Sequence, residues 1–358
     1  MSSTITAPPM LCIEYVWLGG NNELRSKTKI LPDDGRADYA LADVPAWNYD
    51  GSSTKQAEGR DSEVVIKPCA LFNDPFRRGR HLLVLCDTWL SDSTTPHPDN
   101  TRVRAVERFS QSDADEPWFG IEQEYFLMST GTNKPLGFPP IGHPDPQGPY
   151  YCGVGADRCF GREIVEEHMH ACLYAGINLT GTNAEVAPGQ HEFQVRDVGI
   201  KAADQLWMAR YLLHRVAERH GVVVNYEPKP LKGDWNGSGC HTNFSTRAMR
   251  DGDATTGRTG YQVIEEALVK LAERHAEHIA QYGKDNHERL TGQHETSSMS
   301  HFSYARAHRG ASVRIPTVTI QDQKGYFEDR RPAANMDPWV VTGMLYETTC
   351  SAVGTRAV

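Results

Sequence analysis

At 358 residues the chain exceeds one core of ordinary size, so two domains are expected, one much larger than the other. Its formal net charge of −9 excludes a broad nucleic-acid-binding surface, which needs clustered Lys and Arg, but leaves room for a local basic pocket. No apolar run approaches the roughly 18 to 20 residues of a membrane span, the N-terminal MSSTITAPPMLCIEYVWLGG lacks a basic leader region, and the scattered cysteines form no CxxC pair, which together read as a cytoplasmic chain with reduced, mostly buried thiols and no membrane partner.

From Leu11 to about Leu90 the pattern is one of short strands and turns: CIEYVWLGG, KTKIL, EVVIKPCALF and HLLVLCDTWL, with a polar loop ending in WNYDGSS. The segment SDSTTPHPDN, rich in Pro, Ser, Thr and Asp, is the expected linker, which divides the chain into domains 1–95 and 96–358. Beyond it, an apolar stripe through Ile164, Val165, Met169, Cys172 and Leu173 predicts a helix over 162–175. Leu206, Trp207, Ala209, Leu212, Leu213 and Val216 predict another over 204–220, and Val263, Ile264, Ala267, Leu268, Leu271 and Ile279 a third, long one near 259–282. Alternating segments lie between them: FGIEQEYFLM, AEVAPGQHEFQV, VVVNYEP, CHTNFS, ASVRIPTVTI and GYFEDRR. The expectation is an α+β protein whose larger domain packs an antiparallel-rich sheet against helices.

Glutamates recur inside these strand-like segments: Glu122 and Glu124, Glu185 and Glu192, and Glu328, with His241 in GSGCHTNFS as a companion. An ionised carboxylate withdrawn from water needs a hydrogen bond, an ion pair or a cation. Residues two apart on a strand share a face, which groups Glu122 with Glu124, His241 with Asn243 and Ser245, and Glu328 with Arg330. The Pro188 and Gly189 turn can fold Glu185 and Glu192 onto one face of a hairpin. Oxygen-rich ligation suits Mg²⁺ or Mn²⁺ better than Zn²⁺, and so many ligands suit two ions better than one. The plain alternative for each glutamate is an Arg-paired place on a solvated sheet face.

Arginines form a second group: Arg289, Arg309, Arg314, and Arg330 with Arg331. Guanidinium forks beside a carboxylate-bound cation point to phosphoryl transfer, although each alone also fits a surface salt bridge. No GxxxxGK[ST] loop occurs, so a nucleotide would be held by cations and arginines. His168 and His170 fall on different helix faces, and the charged neighbours of His275 and His278 suggest a solvated surface, so these histidines are assigned no role.

In this order, WNYDGSS, PWFGIEQEYFLM, GPYYCGVGADR, GTNAEVAPGQHEFQV, WNGSGCHTNFST, RLTGQHET, ASVRIP and KGYFEDRRPAAN resemble type II glutamine synthetase, over nearly the whole chain. The resemblance implies a small N-terminal β-grasp domain and a catalytic domain of the glutamine synthetase and guanido kinase type. It also implies a homo-oligomer, a decamer of two stacked pentameric rings with active sites between adjacent subunits. The implied reaction joins ammonia to L-glutamate at the expense of ATP. On matching positions, Glu124, Glu185 and Glu192 would hold one Mg²⁺ or Mn²⁺, and Glu122, His241 and Glu328 the other.

By the same resemblance Asp50 would bind and deprotonate ammonium with Ser53 supporting its loop, and Glu295 would belong to a flap over the site. Arg289, Asn236 and Gly237 would hold glutamate, with Arg330 near its reacting carboxylate. Trp118, Asn243, Ser245, Arg309 and Arg314 would contact the nucleotide, Arg309 also offsetting charge on the moving phosphoryl group. Three positions depart from the expected pattern: His191 stands where an aromatic, usually Trp, is expected, Gly189 replaces a more usual Ala, and Gln293 occupies a variable flap position. The rival functions are a γ-glutamyl ligase for a larger amine and a non-catalytic nitrogen sensor.

Overall fold

The computed structural model describes residues 9–36, 38–110 and 113–350. Residues 1–8 of the segment read as lacking a leader lie outside the described residues. The chain separates into two compact units, one comprising Met1–Val103 with His170–Ile177 and the other Arg104–Met169 with Asn178–Val358.

In the first unit the strands are β1 (Met10–Leu18), β2 (Leu24–Pro32), β3 (Trp47–Asp50), β4 (Glu63–Asn73) and β5 (Leu82–Trp89). They form one sheet in the order β2-β1-β5-β4-β3. β1 runs parallel to β5 at its centre, and the other pairs are antiparallel, which is the β-grasp arrangement. Alternate residues Leu11, Ile13, Tyr15 and Trp17 of β1 pack with Ile66, Leu82 and Val84 into one apolar cluster. The ladder of β4 with β5 shifts register between Pro68 and Ala70, where proline has no N–H to give. Asp50 ends the edge strand β3 and caps a 3-10 turn over Gly51–Thr54. Its Oδ1 accepts from Ser52 N at 3.0 Å and Ser52 Oγ at 2.7 Å, and these bonds hold the exposed carboxyl below the usual range. Ser53, on the same turn, offers its carbonyl to Arg25 Nη2 at 3.4 Å.

The chain continues through α1 (Thr101–Phe109), β6 (Trp118–Ser129), α2 (Arg162–Ala175), β7 (Leu179–Ala184), β8 (Gln190–Val198) and α3 (Ile200–Arg219). There follow β9 (Val222–Asn225), β10 (Cys240–Ser245), α4 (Arg247–Asp251), α5 (Gly260–Glu273) and α6 (His275–Gln281). The last elements are β11 (Tyr304–Arg306), β12 (Val313–Ile315), α7 (Thr317–Gln321), β13 (Phe327–Asp329) and α8 (Pro338–Cys350). The sheet of the second unit has the order β11-β12-β13-β10-β6-β8-β7, and β9 pairs with β6. All its pairs are antiparallel except β11 with β12. The expected α+β class holds for the chain, and no described helix is long and apolar enough to cross a membrane.

Several sequence expectations need correction. The long helix near 259–282 is two: α5 opens on a Thr259/Gln262 capping box and ends where Arg274, at φ −102° and ψ 16°, leaves helical geometry before α6 begins. α3 starts at Ile200 rather than 204, because Gly199 with φ +57° turns the chain directly out of β8. On α2 the buried stripe includes His168, whose Nε2 lies 3.0 Å from the Ala209 carbonyl, whereas Leu173 is exposed. His278 is buried, not solvated: its Nδ1 meets Tyr282 Oη at 2.5 Å and its Nε2 meets Thr348 Oγ1 at 2.8 Å, partners that charged sequence neighbours cannot reveal. The cysteines are free, but Cys152 is exposed and only Cys86, Cys172 and Cys240 are buried.

Candidate active site

Register builds the site. Pairing of β6 with β10 sets His241 opposite Glu122, and pairing of β6 with β8 sets Glu124 opposite Glu192. On the other side of β10, Glu328 lies opposite Asn243, and β12 sets Arg314 opposite Glu328. The Pro188 and Gly189 turn closes with Glu185 N donating to the Gln190 carbonyl at 2.9 Å, so Glu185 and Glu192 reach the same space. A cavity of about 310 Å³ results, lined by Glu122, Glu124, Glu185, Glu192, His241, Asn236, Gly237, Arg289, Glu295, Arg309, Arg314 and Arg330.

The acidic residues at and beside this cavity differ in how closely they meet. Glu122, His241 and Glu328 each present a ligand atom, all within 4.8 Å of one another. His241 Nδ1 is 3.7 Å from Glu122 Oε2 and 3.5 Å from Glu328 Oε1. Burial, aided by Arg330, holds the imidazole well below its ordinary pKa, so it is neutral and has a lone pair to give. Glu124, Glu185 and Glu192 also line the cavity, but among the described residues only Glu122, His241 and Glu328 bring three such ligand atoms this close together. Burial pushes the carboxyls of Glu124, Glu185 and Glu192 up, and repulsion from neighbouring carboxylates, Glu122 among them, adds to it, with Glu192 raised to about 9. Two carboxylates and a neutral imidazole within this reach, those of Glu122, Glu328 and His241, fit a divalent cation.

The arginines divide. Arg289 is 4% exposed and donates to the Arg330 and Pro332 carbonyls at 2.7 and 3.0 Å, and burial lowers it to about 10. Arg330 Nη1 donates to Glu328 Oε1 at 2.8 Å, and Arg314 pairs with Glu328 Oε2. Arg309 Nη1 pairs with Glu295 Oε2 at 3.1 Å, while Arg330 Nη2 reaches the Glu295 carbonyl at 3.4 Å. Arg331, expected beside Glu328, is instead fully buried against Asp329 at 2.7 Å, because consecutive residues of an extended strand alternate faces.

Asn236 is anchored by Gln147, whose Nε2 donates to its Oδ1 at 2.7 Å. A Cβ on Gly237 would collide with the Pro228 carbonyl and the Arg289 side chain, so only glycine fits there. Trp118, Asn243 and Ser245 do not line the cavity. Asn243 Nδ2 donates to Glu122 Oε1 at 2.7 Å, Ser245 Oγ accepts from Arg250 Nη1 at 3.0 Å, and the Arg250 guanidinium lies 3.9 Å over the half-exposed Trp118 ring. Asp50 and Ser53 belong to the first unit.

The sequence reading missed Tyr151, Asn183, Gln194, His294 and Thr296, which also line the cavity. For Asn183 and Gln194 the signal was present: each lies two residues from a named glutamate, hence on the same face. His191 is buried with Nε2 at 2.7 Å from the Phe160 carbonyl and its ring 6.0 Å from Tyr125, and burial lowers it to about 4. It fills an aromatic's place as a neutral ring.

Residues 97–348 match the glutamine synthetase catalytic domain. The chain is 55% identical over 340 residues to the glutamine synthetase nodule isozyme of Medicago sativa, covering 94% of this chain and 93% of that one. The chain belongs to the glutamine synthetase family. Two further family members are similar: the cytosolic isozyme of Pinus sylvestris is 53% identical, with 94% of this chain and 92% of that one covered, and root isozyme 3 of Zea mays is 55% identical, with 94% and 93% covered. This extent of likeness to the plant glutamine synthetases places the chain in the type II class. Membership brings ATP and divalent cations in general terms, and Glu122, His241 and Glu328 are a group that could hold such a cation.

Proposed function

We infer that this chain catalyses the ATP-dependent joining of ammonia to the γ-carboxylate of L-glutamate, giving L-glutamine, ADP and phosphate. The observation that carries this reading is the convergence of Glu122, Glu124, Glu185, Glu192 and His241 with Arg289, Arg309, Arg314 and Arg330 around one cavity, with Glu328 beside Glu122 and His241. In the proposed division Glu124, Glu185 and Glu192 hold one Mg²⁺ or Mn²⁺, and Glu122, His241 and Glu328 the other. Such cations, when bound, neutralise charge on a phosphoryl group in flight.

A carboxylate is a poor electrophile, so the γ-carboxylate oxygen of glutamate first attacks the γ-phosphorus of ATP and ADP departs. Arg309, released from Glu295, stabilises the transferring group, and Arg314 with Trp118, Asn243 and Ser245 holds the nucleotide. Arg289, Asn236 and Gly237 hold the glutamate, with Arg330 at its reacting end. Ammonia attacks the γ-glutamyl phosphate and phosphate leaves. Asp50, on the turn that includes Ser53, takes the proton that frees ammonia from ammonium; its depressed pKa keeps it anionic, the form that attracts the cation. Glu295 takes the proton lost from the addition intermediate and, with its flap, keeps water from the acyl phosphate.

The proposal extends to a cytoplasmic decamer of two stacked pentameric rings, with active sites between subunits and the chain divided into domains at 1–95 and 96–358. The test is release of phosphate from ATP, Mg²⁺ and glutamate with and without ammonium, with glutamine measured as product. Phosphate release indifferent to ammonium, in protein whose assembly is intact, would sink this reading. Preference for ethanolamine or a polyamine over ammonium would favour a γ-glutamyl ligase instead.

A further inference from the structure

Behind the sheet lies a buried cation that the chemistry above does not use. Arg210, on α3, is 2% exposed. Its Nε donates to Gln123 Oε1 at 2.8 Å, its Nη1 to the Met336 carbonyl at 2.9 Å and its Nη2 to the Ala334 carbonyl at 3.0 Å. The Trp207 and Tyr226 rings lie 4.7 and 5.4 Å from the guanidinium carbon. All these partners are neutral, an expensive environment for a cation unless its planar fork fixes something.

What it fixes follows from strand alternation. Gln123 sits between Glu122 and Glu124, so its side chain takes the face of β6 away from the cavity, and it is 0% exposed. Gln123 Nε2 donates to the Ala334 carbonyl at 2.9 Å, the same oxygen that accepts from Arg210. Ala334 N donates in turn to the Ser238 carbonyl at 3.0 Å, and Cys240 N to the Pro332 carbonyl at 2.9 Å. The glycine between them meets the cavity: Glu124 N donates to the Gly239 carbonyl at 3.1 Å and Gly239 N to Glu124 Oε2 at 2.9 Å.

We propose that Arg210 is a positioning residue: from behind the sheet its guanidinium locks β6 to residues 332–336, and thereby fixes Glu122 and Glu124 against Gly239 and His241. The role rests on the reading of those carboxylates and His241 as cation ligands. Groups hydrogen-bonded to the ligands of a site set their orientation, and their loss typically weakens metal binding by about 10- to 100-fold; Arg210 acts one step further back, through Gln123 and residues 332–336, on the strand that carries Glu122 and Glu124.

The test uses the full-length protein, with Mn²⁺ binding followed by electron paramagnetic resonance and the thermal midpoint measured in parallel. Arg210→Met is expected to weaken Mn²⁺ binding by about 10- to 100-fold. Arg210→Lys, which keeps the charge without the fork, falls between it and the wild type. Leu213→Ala, a fully buried position on the same helix, lowers the midpoint and leaves Mn²⁺ affinity within about twofold of wild type. Should Arg210→Met fail to fold, Gln123→Met, which leaves the bonds of Arg210 to Ala334 and Met336, is expected to weaken Mn²⁺ binding in the same way. Glu124→Gln distinguishes the two levels of the argument. If it does not disturb Mn²⁺ binding, the ligand reading falls and this inference with it. If it does, while Arg210→Met and Gln123→Met bind like wild type, the positioning role alone is overturned.

Discussion

Asp50 is an exposed side chain whose carboxyl is pinned by Ser52, so its contribution is separable from folding. Asp50→Ala is expected to lower kcat by at least about 100-fold, the usual scale for a lost general base, while ATP affinity stays within about threefold. Equal losses in kcat and in nucleotide affinity, the latter by equilibrium titration, would count against an ammonium role. Residues of this kind are legible in a sequence only as members of a familiar block, because nothing about an exposed aspartate on a turn marks its chemistry. The glutamates were legible on physical grounds, since charge inside an apolar alternating segment demands a partner. Which Arg faces the cavity was readable only in part. Arg330 follows the alternation from Glu328, whereas Arg331, one residue on, takes the opposite face and pairs with Asp329. Arg250 announced nothing, because its place over Trp118 depends on the fold of α4 against β6.

Elements carry their own consequences. The turn joining β7 to β8 needs Gly189: its φ is +69°, and a Cβ would meet the backbone of Leu136 at 2.8 and 2.9 Å. Gly189→Ala should therefore destabilise by at least about 1 to 2 kcal/mol and lower kcat/KM by displacing Glu185 and Glu192, as thermal midpoints and steady-state kinetics would reveal. Unchanged values for both would show that the loop of Leu136 yields readily. Where α2 packs against α3, burial lowers His168 to about 4, against about 6.5 when unfolded. The neutral ring is the one the fold accepts. Its stabilisation is complete above about pH 6.5 and is lost as pH falls toward 4, by about 3 kcal/mol in all. Accordingly, the midpoint difference between wild type and His168→Leu should shift in favour of the variant on going from pH 7.5 to pH 5; a constant difference would show that His168 does not resist protonation. Helix positions emerged from apolar periodicity, but helix ends did not. The break at Arg274 and the early start of α3 are set by backbone geometry that no side-chain stripe encodes.

At the scale of the molecule, the class of the chain followed from strand-rich and mixed segments, whereas strand order did not, since pairing such as β13 with β10 joins residues far apart in sequence. Assembly is likewise not written in periodicity. Native mass measurement is expected to give about 400 kDa, ten copies of the 39.9 kDa chain, and a monomer or dimer that retained full activity would exclude sites shared between subunits. The cavity itself holds one more consequence. Glu328 engages Arg314 and Arg330 as well as facing His241, so acid and guanidinium satisfy each other. On the proposed reading of Glu328 as a ligand, a cation that drew on it would loosen its hold on both arginines and leave them more available to an anion. Each ligand would then raise the affinity for the other by an equal factor, and an exchange of partners around one carboxylate would make cation and phosphate cooperative without any large movement of the fold.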